Sequence, residues 1–382
     1  VTRLALVTYS TKPRGGVVHT LALAEALADR GADVAVIALA EEGAGFHRPV
    51  RVPCHFVPAP PPAPTLEERV FNSLDALAHG LEALGPDLPP LLHTQDCIAA
   101  RAACRVRDAG APITVVRTVH HVDDFTTPAL VECQRLAILV PDRVLVVSRM
   151  WQRILMADYG VAADVVPNGV DLPRFAARPD PGTIAELRQR VGATERPLVL
   201  TVGGIEPRKG SDHLVRGFAA LGGRLPVPPV LAVVGGHSFQ DHGAYREAVL
   251  GSLSGLGLEL GEDVVLVGTV PDDELPAWYH AADAFAFPSV NEGWGLAVLE
   301  AMAAGLPVVA TDIPVFREYL TPGQDALLVP PGDDDALAVA LATVLEDGAT
   351  RDRLVDAGRE VAAAYGWEAS AERHLAIYKE LA

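Results

Sequence analysis

Cysteine is scarce in this 382-residue chain: Cys54, Cys97, Cys104 and Cys133 all lie in the first half, and none forms a Cys-x-x-Cys pair. That pattern gives no disulfide framework and reads as buried, reduced thiols in a cytoplasmic protein. Long apolar runs are missing as well. No stretch of 18 uninterrupted apolar residues occurs, so no transmembrane helix is expected. The chain enters a strand pattern at Arg3-Leu4-Ala5-Leu6-Val7-Thr8-Tyr9 without a signal-peptide layout. Positive charge is short too, with 31 Lys and Arg against 49 Asp and Glu and a net charge of −18. Such a chain repels phosphate backbones, which excludes nucleic acid as the expected partner. An anionic substrate must then be held by a local basic site. The Gly-x-Gly-x-x-Gly fingerprint is also absent where it would be looked for. Arg14-Gly15-Gly16 joins the first strand to its helix, and a nicotinamide cofactor gains little support from it.

What is present is alternation. Strand-like runs at Leu4–Tyr9, Val34–Leu39, Leu91–Thr94, Thr114–Thr118 and Arg143–Val147 are followed by a second set. That set comprises Leu198–Gly203, Val230–Gly235, Val264–Val267, Ala284–Pro288 and Val308–Thr311. Helical patterns lie between them, at 17–30, 146–159, 211–221, 273–282, 296–304, 334–346 and 351–364. Strands alternating with helices indicate α/β architecture with parallel sheets. Two sets of about five or six strands suggest two Rossmann-like domains, of 1–168 and 169–366. Their seam is expected at the Asn-Gly turn within Val166-Pro167-Asn168-Gly169-Val170-Asp171. Ligands bind beyond the carboxyl ends of strands in such sheets, so two facing domains would hold theirs in the cleft between them. The proline-rich stretch Val57–Pro64 reads as a loop. Beyond it, Thr65 and Glu68 form a capping box for a helix carrying Val70, Leu74, Leu77 and Leu81. The acidic outer face of that helix suits a core-facing surface helix better than a membrane-docking one.

The sharpest local signal is a carboxylate in an apolar helix. Helix 296–304 is apolar except for Glu300, and Glu292 stands in the glycine-rich loop before it. A buried carboxylate is costly unless hydrogen-bonded, so Glu300 is expected to face a polar ligand. The open N–H groups of the helix start suit phosphate. Two carboxylates flanking an anion site fit a nucleotide sugar. Upstream, Gly203-Gly204-Ile205-Glu206-Pro207-Arg208-Lys209-Gly210 follows a strand and precedes a helix, and Arg208 with Lys209 would clamp a diphosphate. The amides of Gly15 and Gly16 could reach a phosphate from the opposite side of the cleft, or form a plain tight turn. His120, at a strand end, could bond a sugar hydroxyl or phosphate, with His121 its exposed neighbour. A zinc site from His93, Asp96, His120 and His121 is conceivable but lacks helical ligand spacing. Asp333-Asp334-Asp335 opens a helix and is better explained by N-capping than by metal binding.

Together these stretches resemble the retaining glycosyltransferases of family four, which have the GT-B fold of two facing Rossmann-like domains. Glu292 and Glu300 match the family's Glu-x7-Glu motif, with Glu-Gly-Trp-Gly-Leu where Glu-Gly-Phe-Gly-Leu is usual. Val165–Phe175 looks like the inter-domain segment, and Ala281-Ala282-Asp283 through Pro288-Ser289 like the strand leading to the motif. The resemblance implies that Glu300 binds the nucleotide ribose and that Glu292 lies by the donor sugar. It puts the amides of Gly293, Trp294, Gly295 and Leu296 near the diphosphate and sugar, and Thr269 and Val270 near the base. Lys209 matches the basic residue that grips the phosphates, His120 the histidine opposite them, and 367–382 a closing helix that packs back on the first domain. One departure stands out: the family commonly has Val-Gly-Arg before its lysine, and here Gly204 occupies the arginine position. Arg208 is the candidate substitute.

The implied reaction moves a sugar from a nucleotide-diphosphate sugar to an acceptor hydroxyl by front-face retaining transfer. It needs neither metal nor other cofactor. A uridine donor is favoured and a guanosine donor is the alternative, while the acceptor (glycan, small molecule or lipid-linked) has no readable code. A lipid-linked acceptor would add peripheral membrane association to a cytoplasmic location. The rival readings are a nucleotide-sugar 2-epimerase, a sugar phosphorylase and a non-catalytic nucleotide-sugar-binding protein.

Overall fold

The structure is a computed structural model that describes residues 3–236 and 242–381. The chain divides into two compact units, one of residues 1–169 and 367–382, the other of Val170–Gly366.

The first unit runs β1 (Arg3–Thr8), α1 (Gly15–Asp29), β2 (Asp33–Ala40), β3 (Cys54–Pro58), α2 (Leu66–Ala83), β4 (Leu91–Thr94) and α3 (Cys97–Asp108). It continues through β5 (Thr114–Val119), α4 (Pro128–Leu139), β6 (Arg143–Val146), α5 (Arg149–Tyr159) and β7 (Asp164–Val165). Its seven strands lie in the order β3-β2-β1-β4-β5-β6-β7, every pair parallel. Strands covered by helices on both faces are apolar throughout, and β1 and β2 accordingly bury Leu4, Leu6, Val34 and Val36 in one core.

The second unit contains α6 (Leu172–Ala176), α7 (Pro181–Arg190), β8 (Leu198–Val202), α8 (Ser211–Gly222), β9 (Val230–Val234), α9 (Gly243–Ser252) and β10 (Val264–Gly268). Then come α10 (Leu275–Ala281), β11 (Ala284–Phe287), α11 (Leu296–Ala304), β12 (Val308–Thr311), β13 (Leu327–Val329), α12 (Asp334–Glu346) and α13 (Gly348–Ala363). Its six strands take the order β10-β9-β8-β11-β12-β13, again all parallel. The last helix, α14 (Trp367–Leu381), belongs to the first unit, where Ala371 and Tyr378 join the core of β1, β2 and α1.

Both sheets reverse their winding beside their first strand, between β1 and β4 and between β8 and β11. In doubly wound sheets that crevice is where ligands bind. The loops after β8 and β11 are the ones that carry the glycines and charges singled out above.

Several expectations are corrected. Cys54–Pro58 is a strand, although the proline-rich pattern predicts a loop from Val57; it lies at the sheet edge, where a proline's missing N–H breaks no ladder. Strands β7 and β13, of two and three residues, are too short to show a pattern. The helix expected from 146 starts at Arg149, because β6 runs to Val146 and Ser148 caps the helix through the Trp151 N–H. Gly15 and Gly16 form the first turn of α1 and are not a linking turn. Gly169 is required by close approach, since a Cβ there would lie 2.5 Å from the Cα of Trp367. All four cysteines are free, with Cys104 and Cys133 buried but Cys54 and Cys97 only half-buried. The Thr65–Glu68 capping box is present, and α2 buries Val70, Leu74, Leu77 and Leu81. Among the described residues no helix is long and apolar enough to cross a membrane.

Candidate active site

In the second unit, two glycine loops meet at the switch point. The first leaves β8 through Gly203 and Gly204, makes a 3-10 turn over Pro207–Lys209, and enters α8 at Gly210. The second leaves β11 at Pro288 and enters α11 at Gly295. They are stitched together at Arg208, whose carbonyl accepts from the N–H groups of Val290 (2.8 Å) and Asn291 (3.3 Å). Gly210 has φ +63°, and a Cβ on it would stand 2.1 Å from the Pro288 oxygen. Replacing it with alanine should therefore cost roughly 3 kcal/mol or more, from left-handed strain plus a backbone clash. Chemical denaturation of Gly210→Ala measures this, and a loss under 1 kcal/mol would show that the loops separate freely.

The charges form a compact set. Lys209 Nζ donates to Glu292 Oε1 at 2.5 Å, and Arg208 Nη1 donates to the same oxygen at 3.4 Å. Lys209 also lies 4.5 Å above the centre of the Phe287 ring. Burial alone would raise the Glu292 carboxyl, but Lys209 and Arg208 outweigh it and hold the group below the usual carboxylate range. Burial lowers Lys209, against the opposing pull of Glu292. Glu292 is thus ionised near neutrality, in a setting where a charge–charge contact counts for more than in water. Glu292, 7% exposed, lies in the loop before α11, as its sequence context suggested. Gly295 caps α11 with φ +91° and no side-chain bond, so the N–H groups around Leu296 start the helix without a capping side chain.

Glu300 is the fifth residue of α11. The hydrogen bond its burial demanded comes from within the protein: Tyr279, on α10, donates its hydroxyl to Oε2 at 2.7 Å. Burial raises the Glu300 carboxyl, opposed by Tyr279 and by Arg174. Thr269 and Val270 follow β10, and the Thr269 hydroxyl is packed against Gly236, where an added Cβ would stand 2.5 Å from it.

In the first unit, Gly15 and Gly16 open α1 with no side-chain cap, and a Cβ on either would meet nothing within 4 Å. His120 directly follows β5 and its Nε2 bonds Gln95 Oε1 at 3.1 Å. Burial, then His19 and Arg117, lower it well below an ordinary histidine, so its ring is neutral. His121 is exposed and pairs with Asp123 at 3.4 Å.

The zinc alternative fails on its ligands. His93 spends both ring nitrogens on Tyr378 (2.6 Å) and Thr118 (2.7 Å), while Asp96 takes the N–H groups of Tyr9 and Ala99. Among the described residues no group of three His, Cys, Asp or Glu could hold a metal. Asp333 caps α12 through the Ala336 N–H, and Asp334 binds His213 and Arg216. Sequence reasoning passed over Tyr279 and Glu206. A tyrosine on a helix gives no sign of its partner, but an acid two residues before Arg208 was a signal available to be read.

Comparison with known proteins gives the family. Residues 183–361 match the family model described as glycosyl transferases group 1, and residues 13–174 match glycosyltransferase family 4. A D-inositol 3-phosphate glycosyltransferase of Kribbella flavida is 33% identical over 77% of this chain and 72% of its own length. A GDP-mannose-dependent alpha-(1-6)-phosphatidylinositol monomannoside mannosyltransferase of Mycolicibacterium smegmatis is 37% identical over 54% of this chain and 53% of its own. The chain thus spans between about half and three-quarters of these relatives. Among solved structures, sucrose-phosphate synthase from Thermosynechococcus elongatus superposes with a TM-score of 0.83 at 25% identity, over 100% of this chain and 99% of that one. HepE of Anabaena, in complex with UDP and glucose, gives 0.81 at 20% identity over 100% of both chains. With two all-parallel Rossmann-like sheets and both sequence models matched, the chain belongs to the family 4 glycosyltransferases and has the GT-B fold.

Proposed function

We propose that the protein is a retaining hexosyltransferase that moves a sugar from a nucleotide-diphosphate sugar to an acceptor hydroxyl, without a metal or other cofactor. The observation that carries this reading is the meeting of Lys209, Arg208 and the α11 start on Glu292, at the switch point of the second sheet. In our reading the diphosphate lies against Lys209 and Arg208, by Gly204 and the amides of Gly293, Trp294, Gly295 and Leu296. Glu292 then takes the donor sugar, Glu300 the ribose, and Thr269 with Val270 the base. In the first unit, Gly15 and Gly16 are assigned to phosphate, and the neutral His120 to a hydroxyl or phosphate.

The bond from the anomeric carbon to the diphosphate oxygen breaks, and its electron pair stays on that oxygen. The acceptor hydroxyl forms the new bond on the same face and passes its proton to the departing oxygen. Charge growing on the diphosphate is met by fixed cations and N–H groups, which stabilise the transition state more than the ground state. No protein nucleophile takes part. We favour a uridine donor, with guanosine as the alternative given the GDP-mannose-dependent relative. We place the reaction in the cytoplasm, at the membrane surface if the acceptor is lipid-linked.

A thermal-shift panel of UDP, GDP and ADP with their glucose, N-acetylglucosamine and mannose forms tests this on wild type and Glu300→Ala. A ligand at a hundred times its dissociation constant should stabilise the wild type by about 2.7 kcal/mol. One nucleotide should act selectively, and Glu300→Ala should lose most of that shift. A shift with inorganic phosphate alone, and with no nucleotide, would move the assignment to a phosphorylase.

A further inference from the structure

The loop before Lys209 holds a carboxylate that the reaction just described does not use. Glu206 is 6% exposed. Its backbone is pinned by Ser211, whose hydroxyl accepts from the Glu206 N–H (3.2 Å) and donates to the Glu206 carbonyl (3.3 Å). A carboxylate carried into such a place is costly unless a cation offsets it. The cation is Arg208: its Nε lies 3.1 Å from Glu206 Oε2, a charge pairing off the hydrogen-bond line, while its Nη1 reaches Glu292. The other Glu206 oxygen fills the space beside Gly204. A Cβ at 204 would stand 3.0 Å from Oε1 and 2.7 Å from the carbonyl oxygen of Gly236, so no side chain fits there.

We infer that Glu206 is a positioning residue for the donor diphosphate: it holds the Nε edge of Arg208 and so aims that guanidinium at the phosphates from a position that Gly204 cannot serve. This rests on the nucleotide-sugar reading above. Arginine has long rotamer freedom, and a fixed planar fork loses less on binding than a free one. Two effects of Glu206 on a diphosphate oppose each other. Its own charge repels the anion, while its grip on Arg208 attracts it. The sign of the net effect is therefore diagnostic.

UDP and GDP, each titrated calorimetrically into wild type, Glu206→Gln, Arg208→Ala and the double variant, give the test. With Arg208 present, Glu206→Gln should weaken the bound diphosphate about tenfold, the scale of one charge-assisted contact. In the Arg208→Ala background the same change should tighten it, because only the repulsion is then removed. Binding of uridine or guanosine, which carry no phosphate, should not change. Glu206→Asp covers the case of an amide variant that does not fold. It keeps the charge, but its shorter arm cannot hold Arg208, so it too should weaken the diphosphate and spare the nucleoside. Equal or tighter diphosphate binding by Glu206→Gln with Arg208 present overturns the inference, as does the same weakening in both backgrounds. A wild type that binds neither UDP nor GDP overturns the transferase reading itself.

Discussion

Lys209→Ala should lower kcat by 10²–10³, about 3–4 kcal/mol of transition-state stabilisation, the usual loss for one donor aimed at developing charge. The ammonium is well placed for that size of effect. It is largely buried, its side chain 17% exposed, and it sits between the Glu292 carboxylate and the face of Phe287. A fixed cation in a dry site needs no reorganisation as charge grows on the leaving group. The variant also strands Glu292 as a buried acid with one cation fewer, so a lower melting temperature should accompany the lost turnover. Rates are therefore read well below that melting point, at saturating donor. Turnover within a few-fold of wild type would remove Lys209 from the chemistry and leave it a structural partner of Glu292.

The sequence offers Lys209, Glu292 and Glu300 on different grounds: Glu300 as a carboxylate in an otherwise apolar helix, where burial is costly, and Glu292 by its place in the glycine-rich loop before that helix. Lys209 stands out with Arg208 as a local cation pair in an acidic chain. The glycine loops could be placed because strands and helices of ordinary length bracket them. The edge strand Cys54–Pro58 could not be read, because a proline within a strand looks like a breaker until the neighbour on one side is known to be missing. Tyr279 is hidden for a different reason: its partner Glu300 is set by packing between α10 and α11, and spacing along the chain carries no trace of that contact. Glu206 stands two residues from its partner Arg208, so its signal lies in the spacing itself.

Mild acid should unfold the first unit. Four histidines, His19, His93, His120 and His374, share its interior with Trp367 and Tyr378, and the His19 and His120 rings lie 4.7 Å apart. Burial lowers His19 to about 3 and His374 to about 4, and lowers His93 and His120 well below the ordinary value. Arg117 lowers His93 and His120 further. Each folded-state value lies below the unfolded value near 6.5, so the neutral rings contribute fully above pH 6.5. That contribution is lost as pH falls from 6.5 toward 4. His19 and His374 together account for roughly 4 kcal/mol between pH 6.5 and 5, at about 1.4 kcal/mol per pH unit for each ring. Melting temperature followed from pH 7.5 to 5 should fall steeply, and a His19→Leu, His374→Leu double variant should flatten the slope. A wild-type curve that is level across that range would mean the rings find charge partners when protonated.

The return of α14 to the first unit fixes an order of events during synthesis. Between Gly169 and Trp367 the ribosome makes the whole second unit, Val170–Gly366. At about 5–20 residues per second that takes roughly 10–40 s. Throughout that interval the nascent first unit lacks Ala371, His374 and Tyr378, and the faces of α1 and β4 that they cover stand open to water. A chain stopped at Gly366 should bind a hydrophobic dye that the full chain excludes, and adding a synthetic 367–382 peptide should reverse it. The unit whose strands are translated first is thus the one completed last.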